Sequence, residues 1–292
     1  MVTIQNDYLT LRVDEFGAQM TELCSNKGTE YLWSADKTYW GESAPVLFPF
    51  VGRSTDGSYT LHGARYSMPL HGFAKRNTFA IEEQTAQSVT FALRDTDETR
   101  KDYPFRFTFR VIYTLRGPSV AVTYFVRNDG DDTMPFGLGG HPGFRVPLAE
   151  GTKFEDYEIR FPEPCMPDRI GFSDTGYLDG TALPYPLKDG VSILLRHDLF
   201  DRDAIVLRHT PRSVTIRSDK TSRSVTVDFP GMPYIGFWHM PKTDAPYVCI
   251  EPWVSLPSRQ DIVEDLAFKA DLTRLAPGEE YKNEWKITVT DE

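Results

Sequence analysis

Glu251 stands in the run Tyr247-Val248-Cys249-Ile250-Glu251-Pro252-Trp253, whose other members are those of a buried strand. A carboxylate there must be paired, hydrogen-bonded or protonated, because burying it unsatisfied costs several kcal/mol or more. Two explanations fit: a group used in catalysis, or half of a structural ion pair with a buried arginine. His141 is a second such residue, in Gly139-Gly140-His141-Pro142-Gly143-Phe144. The glycines and proline give an irregular backbone with little side-chain bulk, so the imidazole is expected to face a cavity. One carboxylate and one imidazole are the minimum set for general acid–base chemistry near neutral pH.

Two further segments break the surrounding pattern, as functional segments often do. Pro45-Val46-Leu47-Phe48-Pro49-Phe50-Val51-Gly52-Arg53 is apolar, interrupted by prolines, and ends on a lone arginine. Pro69-Leu70-His71-Gly72-Phe73-Ala74-Lys75-Arg76 places a histidine before Gly-Phe and a basic pair just after. On residue type alone, Arg53 can equally be a surface arginine and His71 a satisfied loop histidine.

The elements that must position these residues are strands. Phe105, Phe107, Phe109, Val111, Tyr113 and Leu115 alternate with mostly polar residues. After the turn Arg116-Gly117-Pro118-Ser119, Val120, Val122, Tyr124 and Val126 return as the partner strand, ending at Asn128-Asp129-Gly130. This reads as a long antiparallel hairpin with one buried face. Hairpins are also expected at Tyr59–Leu61 with Arg65–Met68, Phe79–Glu83 with Val89–Leu93, and Val214–Arg217 with Ser224–Phe229. A last strand is expected from Tyr281 to Val289. Helical periodicity is confined to short turns near Asp97–Tyr103 and Asp198–Asp201. Many strands with turn signals every 8–12 residues predict an all-β chain, a single large antiparallel β-sandwich over residues 1–292.

Hydrophobic residues make up 40% of the 292, enough for a sizeable core, and the 19 Phe and 14 Tyr suit broad sheets. The formal net charge of −10 argues against nucleic acid or an anionic membrane as partner. The three cysteines, Cys24, Cys165 and Cys249, have no CxxC spacing, so neither a disulfide framework nor a zinc motif is expected, and Cys249 reads as a small hydrophobe. With no signal-like N-terminus and no long apolar run, a cytoplasmic location is expected. The oligomeric state stays open. No Gly-x-Ser-x-Gly elbow, Walker loop, His-Glu-x-x-His or dinucleotide glycine motif occurs, which removes the esterase, nucleotide, zinc-protease and Rossmann readings.

At the four irregular segments the chain resembles the aldose 1-epimerase (galactose mutarotase) superfamily, most of all its LacX-like branch. The matching text is PVLFPFVGR, then DGSYTLHGARYSMPLHGFA, then GGHPGF, then FWHMPKTDAPYVCIEPW. Each motif alone is weak, but the order and spacing fit over almost the whole chain. The resemblance implies the galactose mutarotase-like supersandwich, a free sugar as substrate, and no metal or other cofactor. It implies Glu251 as catalytic base, His141 as catalytic acid, and His71 and Arg53 as ligands of sugar hydroxyls. Asp203, in LFDRDAIVL, is implied more loosely as a sugar-binding aspartate, with Asp201 the alternative. Gly52-Arg53 and Leu70-His71-Gly72-Phe73 differ from the Asn-Arg and Leu-His-Gly-Gly of the galactose-specific enzymes, which leaves the sugar unassigned. Trp238, Phe237 and Phe144 are candidate platforms for a sugar face, or core residues.

The reaction so implied interconverts α and β anomers. The anomeric hydroxyl loses a proton, the ring oxygen gains one, and the C1–O5 bond opens to an aldehyde that recloses on its other face. Desolvation by Trp253 and Ile250 is expected to raise the Glu251 pKa, while a neighbouring imidazolium would lower it. Rival readings are a hexose-phosphate mutarotase with Lys75 and Arg76 at the phosphate (otherwise a solvated basic pair), a non-catalytic carbohydrate-binding protein, and a glycoside hydrolase or lyase. The last needs two carboxylates flanking the scissile bond.

Overall fold

The computed structural model describes residues 1–291. Strands dominate it. The α-helix at Asp97–Asp102 is closed by a capping box in which the Thr96 side chain accepts from the Thr99 N–H and Thr99 reaches back to the Thr96 N–H. Short 3₁₀ turns include Ala74–Arg76 and His197–Phe200. Among the described residues no helix is long and apolar enough to cross a membrane.

The hairpin expected from the alternating aromatics forms the middle of a nine-stranded antiparallel sheet. Phe107–Arg116 pairs with Ser119–Asn128, which pairs in turn with the C-terminal strand Glu280–Thr290. Phe107, Phe109, Val111, Tyr113 and Leu115 are all buried on one face, as the alternation requires. That face packs on an eight-stranded sheet with the order Leu178–Pro184, Asp168–Phe172, Ile205–Arg208, Tyr234–Trp238, Tyr247–Trp253, Gly139–Gly140 and Val46–Leu47. Gly143–Arg145 pairs beside Gly139–Gly140, also on Tyr247–Trp253. A three-stranded meander, Val2–Ser25, flanks the two sheets.

The fold is therefore an antiparallel β-sandwich, and its inner faces share one hydrophobic cluster that includes Phe109, Tyr124, Phe237, Val248, Ile250 and Trp285. The sheets pack tightly at Gly140, where a Cβ would stand 2.7 Å from the Trp285 ring. Phe144 and Phe237 lie wholly within this core. Neither can serve as a sugar platform; pleating turns Phe237 inward and its neighbour Trp238 outward.

The outer face of the eight-stranded sheet is unusual for being apolar as well. Leu47, Val51, Val206, Trp253 and Leu256 form one patch, and Trp33, Tyr247 and Cys249 another, with Trp40 and Trp238 packed against it. Tyr247, Cys249, Glu251 and Trp253 share this face of one strand, so Glu251 falls between the two patches. Ile250 points the other way, into the core, and of the two residues expected to desolvate the carboxylate only Trp253 shares its side of the sheet.

Candidate active site

Local glycines make room for the carboxylate. The cross-strand neighbour of Glu251 is Gly236, where a Cβ would lie 3.3 Å from the Glu251 Cβ. On the other side the partner strand is broken. Gly139 pairs with Trp253 and Gly143 with Cys249, and His141-Pro142 bulges out between them. The bulge is held by the His141 N–H donating to Pro45 O (3.1 Å) and the Ile250 N–H donating to Pro142 O (3.1 Å). Its effect is to carry the imidazole onto the outer face, where Nε2 lies 3.2 Å from Glu251 Oε2.

His71 arrives on a turn that only glycine completes. Gly72 has φ +73°, and a Cβ there would stand 2.2 Å from Phe48 O. The same carbonyl accepts the Phe73 and Ala74 N–H groups, both at 3.0 Å. His71 and Gly52 hold each other: the His71 N–H donates to Gly52 O (2.9 Å) and the Gly52 N–H donates to His71 Nδ1 (3.1 Å). Because Nδ1 accepts, the neutral ring carries its proton on Nε2 and is a donor there. The His71 and His141 rings meet edge to face with centroids 5.4 Å apart.

Together these groups line a cavity of about 160 Å³. Glu251, His141, His71, Arg53, Asp203, Trp238 and Lys75 all contribute to its wall. Asp201 does not; it is exposed and accepts the Lys242 N–H, while Asp203 turns inward at φ +75°. Arg53 and Asp203 converge on the Gly176 turn, where a Cβ would lie 2.9 Å from Arg53 Nε and 3.4 Å from Asp203 Oδ2.

Lys75 and Arg76 part company. They sit on a 3₁₀ turn rather than a strand. Lys75 is buried, and its Nζ donates to both Glu42 oxygens at 2.7 and 3.0 Å. Arg76 is exposed and lines a separate outer groove together with Arg53. The pair is thus neither solvated as a unit nor a joint clamp for one phosphate.

Sequence reading passed over Trp40, Glu42, Phe172 and Gly176, which also line the cavity. Trp40 tilts over the His141 ring at 4.9 Å, and Trp238 meets the same ring edge-on at 5.6 Å. The only signal was Tyr39-Trp40-Gly41-Glu42, an aromatic pair beside a carboxylate in a stretch without strand alternation.

Electrostatics follow from dryness. Burial raises the Glu251 pKa well above the carboxylate range, and the Asp203 charge raises it further. The Trp253 indole N–H pulls the other way, although among the described residues it has no partner within hydrogen-bond geometry. Burial pushes His141 down to about 3, assisted by the Lys75 cation. His71 is lowered mainly by burial, then by His141, Lys75 and Arg53. Burial therefore favours the uncharged form of each, a protonated Glu251 beside a neutral His141. His141 Nδ1 is buried with no hydrogen-bond partner among the described residues. Two unsatisfied N–H or N groups beside an acid–base pair suit a ligand bearing several hydroxyls.

The chain is similar to known proteins over nearly its whole length. Residues 1–288 match the family described as aldose 1-epimerase. Protein LacX, chromosomal, of Lactococcus lactis subsp. lactis is 35% identical over 297 residues, covering 99% of each chain. A galactose mutarotase related enzyme from Lactobacillus acidophilus superposes with a TM-score of 0.93 at 36% identity, over 99% of this chain and 97% of that one. A galactose mutarotase-like protein from Lactobacillus casei ATCC 334 gives 0.94 at 31% identity, over 99% and 100%.

Proposed function

The chain belongs to the aldose 1-epimerase family, and from that premise we propose that its cavity interconverts the α and β anomers of a free hexose by acid–base ring opening and closure. The observation that carries the proposal is the 3.2 Å contact between Glu251 and His141 on the wall of one cavity. The two oxygens that exchange protons, the anomeric hydroxyl and the ring oxygen, are both bonded to C1. A donor and an acceptor in contact with each other can reach both.

The proton count balances within the pair. Resting and reactive ionisations differ by one shift along the contact, from Glu251 to His141. The Glu251 carboxylate then takes the anomeric proton, the imidazolium gives its proton to the ring oxygen, C1–O5 breaks and C1=O forms. The pair is left as it rested, protonated glutamic acid beside neutral imidazole. Rotation about C1–C2 presents the other aldehyde face, and the reverse transfers close the ring. The His71 Nε2–H, Arg53, Asp203 and the Lys75–Glu42 pair would orient hydroxyls, and positioning of this kind supplies a large part of the rate. Trp40 and Trp238 would cover an apolar sugar face.

Fresh anomers followed by proton NMR test the reading: α-glucose and α-galactose should equilibrate faster with the protein than without it. A sugar that binds tightly with no acceleration would favour the non-catalytic alternative. The phosphate alternative draws on one observation, that Arg53 and Arg76 share the outer groove. Competing glucose 6-phosphate with glucose in the same assay separates the two.

A further inference from the structure

Cys249 lies two residues before Glu251 on the strand Tyr247–Trp253, so thiol and carboxylate share the outer face. His141 reaches the same place from the broken partner strand. An imidazole nitrogen, the Cys249 sulfur and a Glu251 oxygen all lie within 4.8 Å of one another, and all three residues are buried. The residue paired with Cys249 is Gly143. A Cβ there would stand 3.5 Å from Sγ, 3.1 Å from the Trp33 Cβ and 3.2 Å from the Trp40 ring, so the glycine lets both indoles close around the thiol. The histidine brings Nε2, which lies 3.2 Å from Glu251 Oε2, on a residue only 7% exposed.

We propose that His141, Cys249 and Glu251 form a binding site for a thiophilic divalent cation of the zinc and cadmium class, and that the bound cation disables the acid–base pair. The second half rests on the catalytic reading above; the first does not. The absence of a CxxC motif excludes a site made by local sequence, whereas this one is assembled by the fold. Nitrogen, thiolate sulfur and carboxylate oxygen are the donor set such cations prefer. Bonds of about 2.0–2.3 Å in a tetrahedral site put neighbouring donors roughly 3.3–3.8 Å apart. The His141–Glu251 contact is already 3.2 Å, so the adjustment required is about 1 Å at the thiol.

Binding makes three metal–donor bonds and releases two protons to solvent, one from the thiol and the one the pair holds. One thiolate and one carboxylate then neutralise the dication, so the buried complex carries no net charge. His141 and Glu251 line the cavity, from which a fourth ligand would come. With both lone pairs committed to the metal, neither residue can accept a proton from a sugar. The other thiol–carboxylate cluster, Glu22, Cys24 and Glu30, is a poorer candidate. Glu30 accepts the Leu23 and Leu32 N–H groups and the Cys24 thiol, and Glu22 pairs with Arg12.

The test titrates cadmium chloride into a C24S/C165S chain, following the ultraviolet thiolate-to-cadmium absorption and anomer interconversion in the same samples. The expected result is one equivalent bound with a thiolate band, interconversion lowered at least tenfold, and recovery with EDTA. C249A should lose the band and resist inhibition while keeping its metal-free rate. No thiolate band, or an unchanged band in C249A, overturns the site. Should C249A not fold, cobalt in the C24S/C165S chain decides, since a spectrum without sulfur ligation overturns the site equally. A band together with undiminished interconversion overturns the inhibitory half. A band in a chain with no interconversion at all would sink the catalytic reading and leave the metal site standing.

Discussion

Glu251 and His141 hold a single proton between them over a wide pH range. A second proton reaches His141 only near its depressed pKa of about 3, and the first leaves Glu251 only well above the ordinary carboxylate range. The charged or titratable groups that face the pair are Cys249, Lys75, Asp203, His71, Arg53 and Glu42. Interconversion should therefore stay nearly flat from neutral pH down to about 5, rather than halving near the ordinary histidine pKa of about 6.5. Lys75→Met removes a cation that opposes protonation of His141, so the acid limb of the pH–rate profile should move to higher pH. A wild-type profile centred on 6.5, or an unmoved limb in the variant, would contradict this account of the pair. The importance of these two residues was legible in the sequence, because a charged or titratable group stood out in an apolar or glycine-rich setting. The direction of their shifts was not, since desolvation and mutual attraction oppose and only the surrounding dryness decides between them.

At the scale of elements, glycines and breaks in pairing deliver the site. The His71 turn is the sharpest case: a Cβ at Gly72 meets the rigid Phe48 carbonyl at 2.2 Å, whereas at Gly63, also with positive φ, it meets nothing within 4 Å. Gly63→Ala should cost about 1 kcal/mol, from backbone strain alone. Gly72→Ala should cost about 2–4 kcal/mol, because the turn must also move, and it should weaken sugar binding by displacing His71. Denaturant midpoints for the two variants check the ordering; equal losses would mean that the close approach carries no weight. The strands themselves were readable from alternation, as at Phe107–Leu115. The basic pair Lys75-Arg76 left a phosphate clamp and a solvated pair both open, because adjacency in sequence does not fix which way each side chain turns. On the 3₁₀ turn the two diverge, one to Glu42 inside and the other to the outer groove. Trp40 left little trace in the sequence, because a loop residue acquires its role only when a distant strand comes to face it, and Phe172, at the end of the strand Asp168–Phe172, reads as one more strand aromatic.

For the molecule as a whole, buried histidines link stability to acid. His239 is fully buried among Phe154, Phe200 and Tyr247, and its ring contacts the Met240 carbonyl through Nδ1 and His197 through Nε2. Burial lowers its pKa to about 4; His197 adds to the effect, while the Met240 carbonyl and Asp201 oppose it. A depressed folded-state pKa means that its stabilising share is complete above about pH 6.5 and is lost as pH falls through 4. Over that window His239→Phe should flatten the pH dependence of unfolding by up to about 1.4 kcal/mol per pH unit. Urea melts of both proteins from pH 7 to 4 measure it, and parallel curves would contradict it. The sandwich was foreseeable from many short alternating strands. The apolar outer face of its smaller sheet was not, because a strand buried on both sides, as Tyr247–Trp253 is, reads simply as hydrophobic.

The proton exchange between Glu251 and His141 is tested most directly by rates of anomer interconversion for wild type, Glu251→Gln, His141→Asn and the double variant. If the two act as one unit, each single change lowers the rate by ~10²-fold or more with the fold intact, and the double variant is no slower than the worse single one. Losses that multiply, or a single variant at the wild-type rate, would show that the two residues do not work on a shared proton.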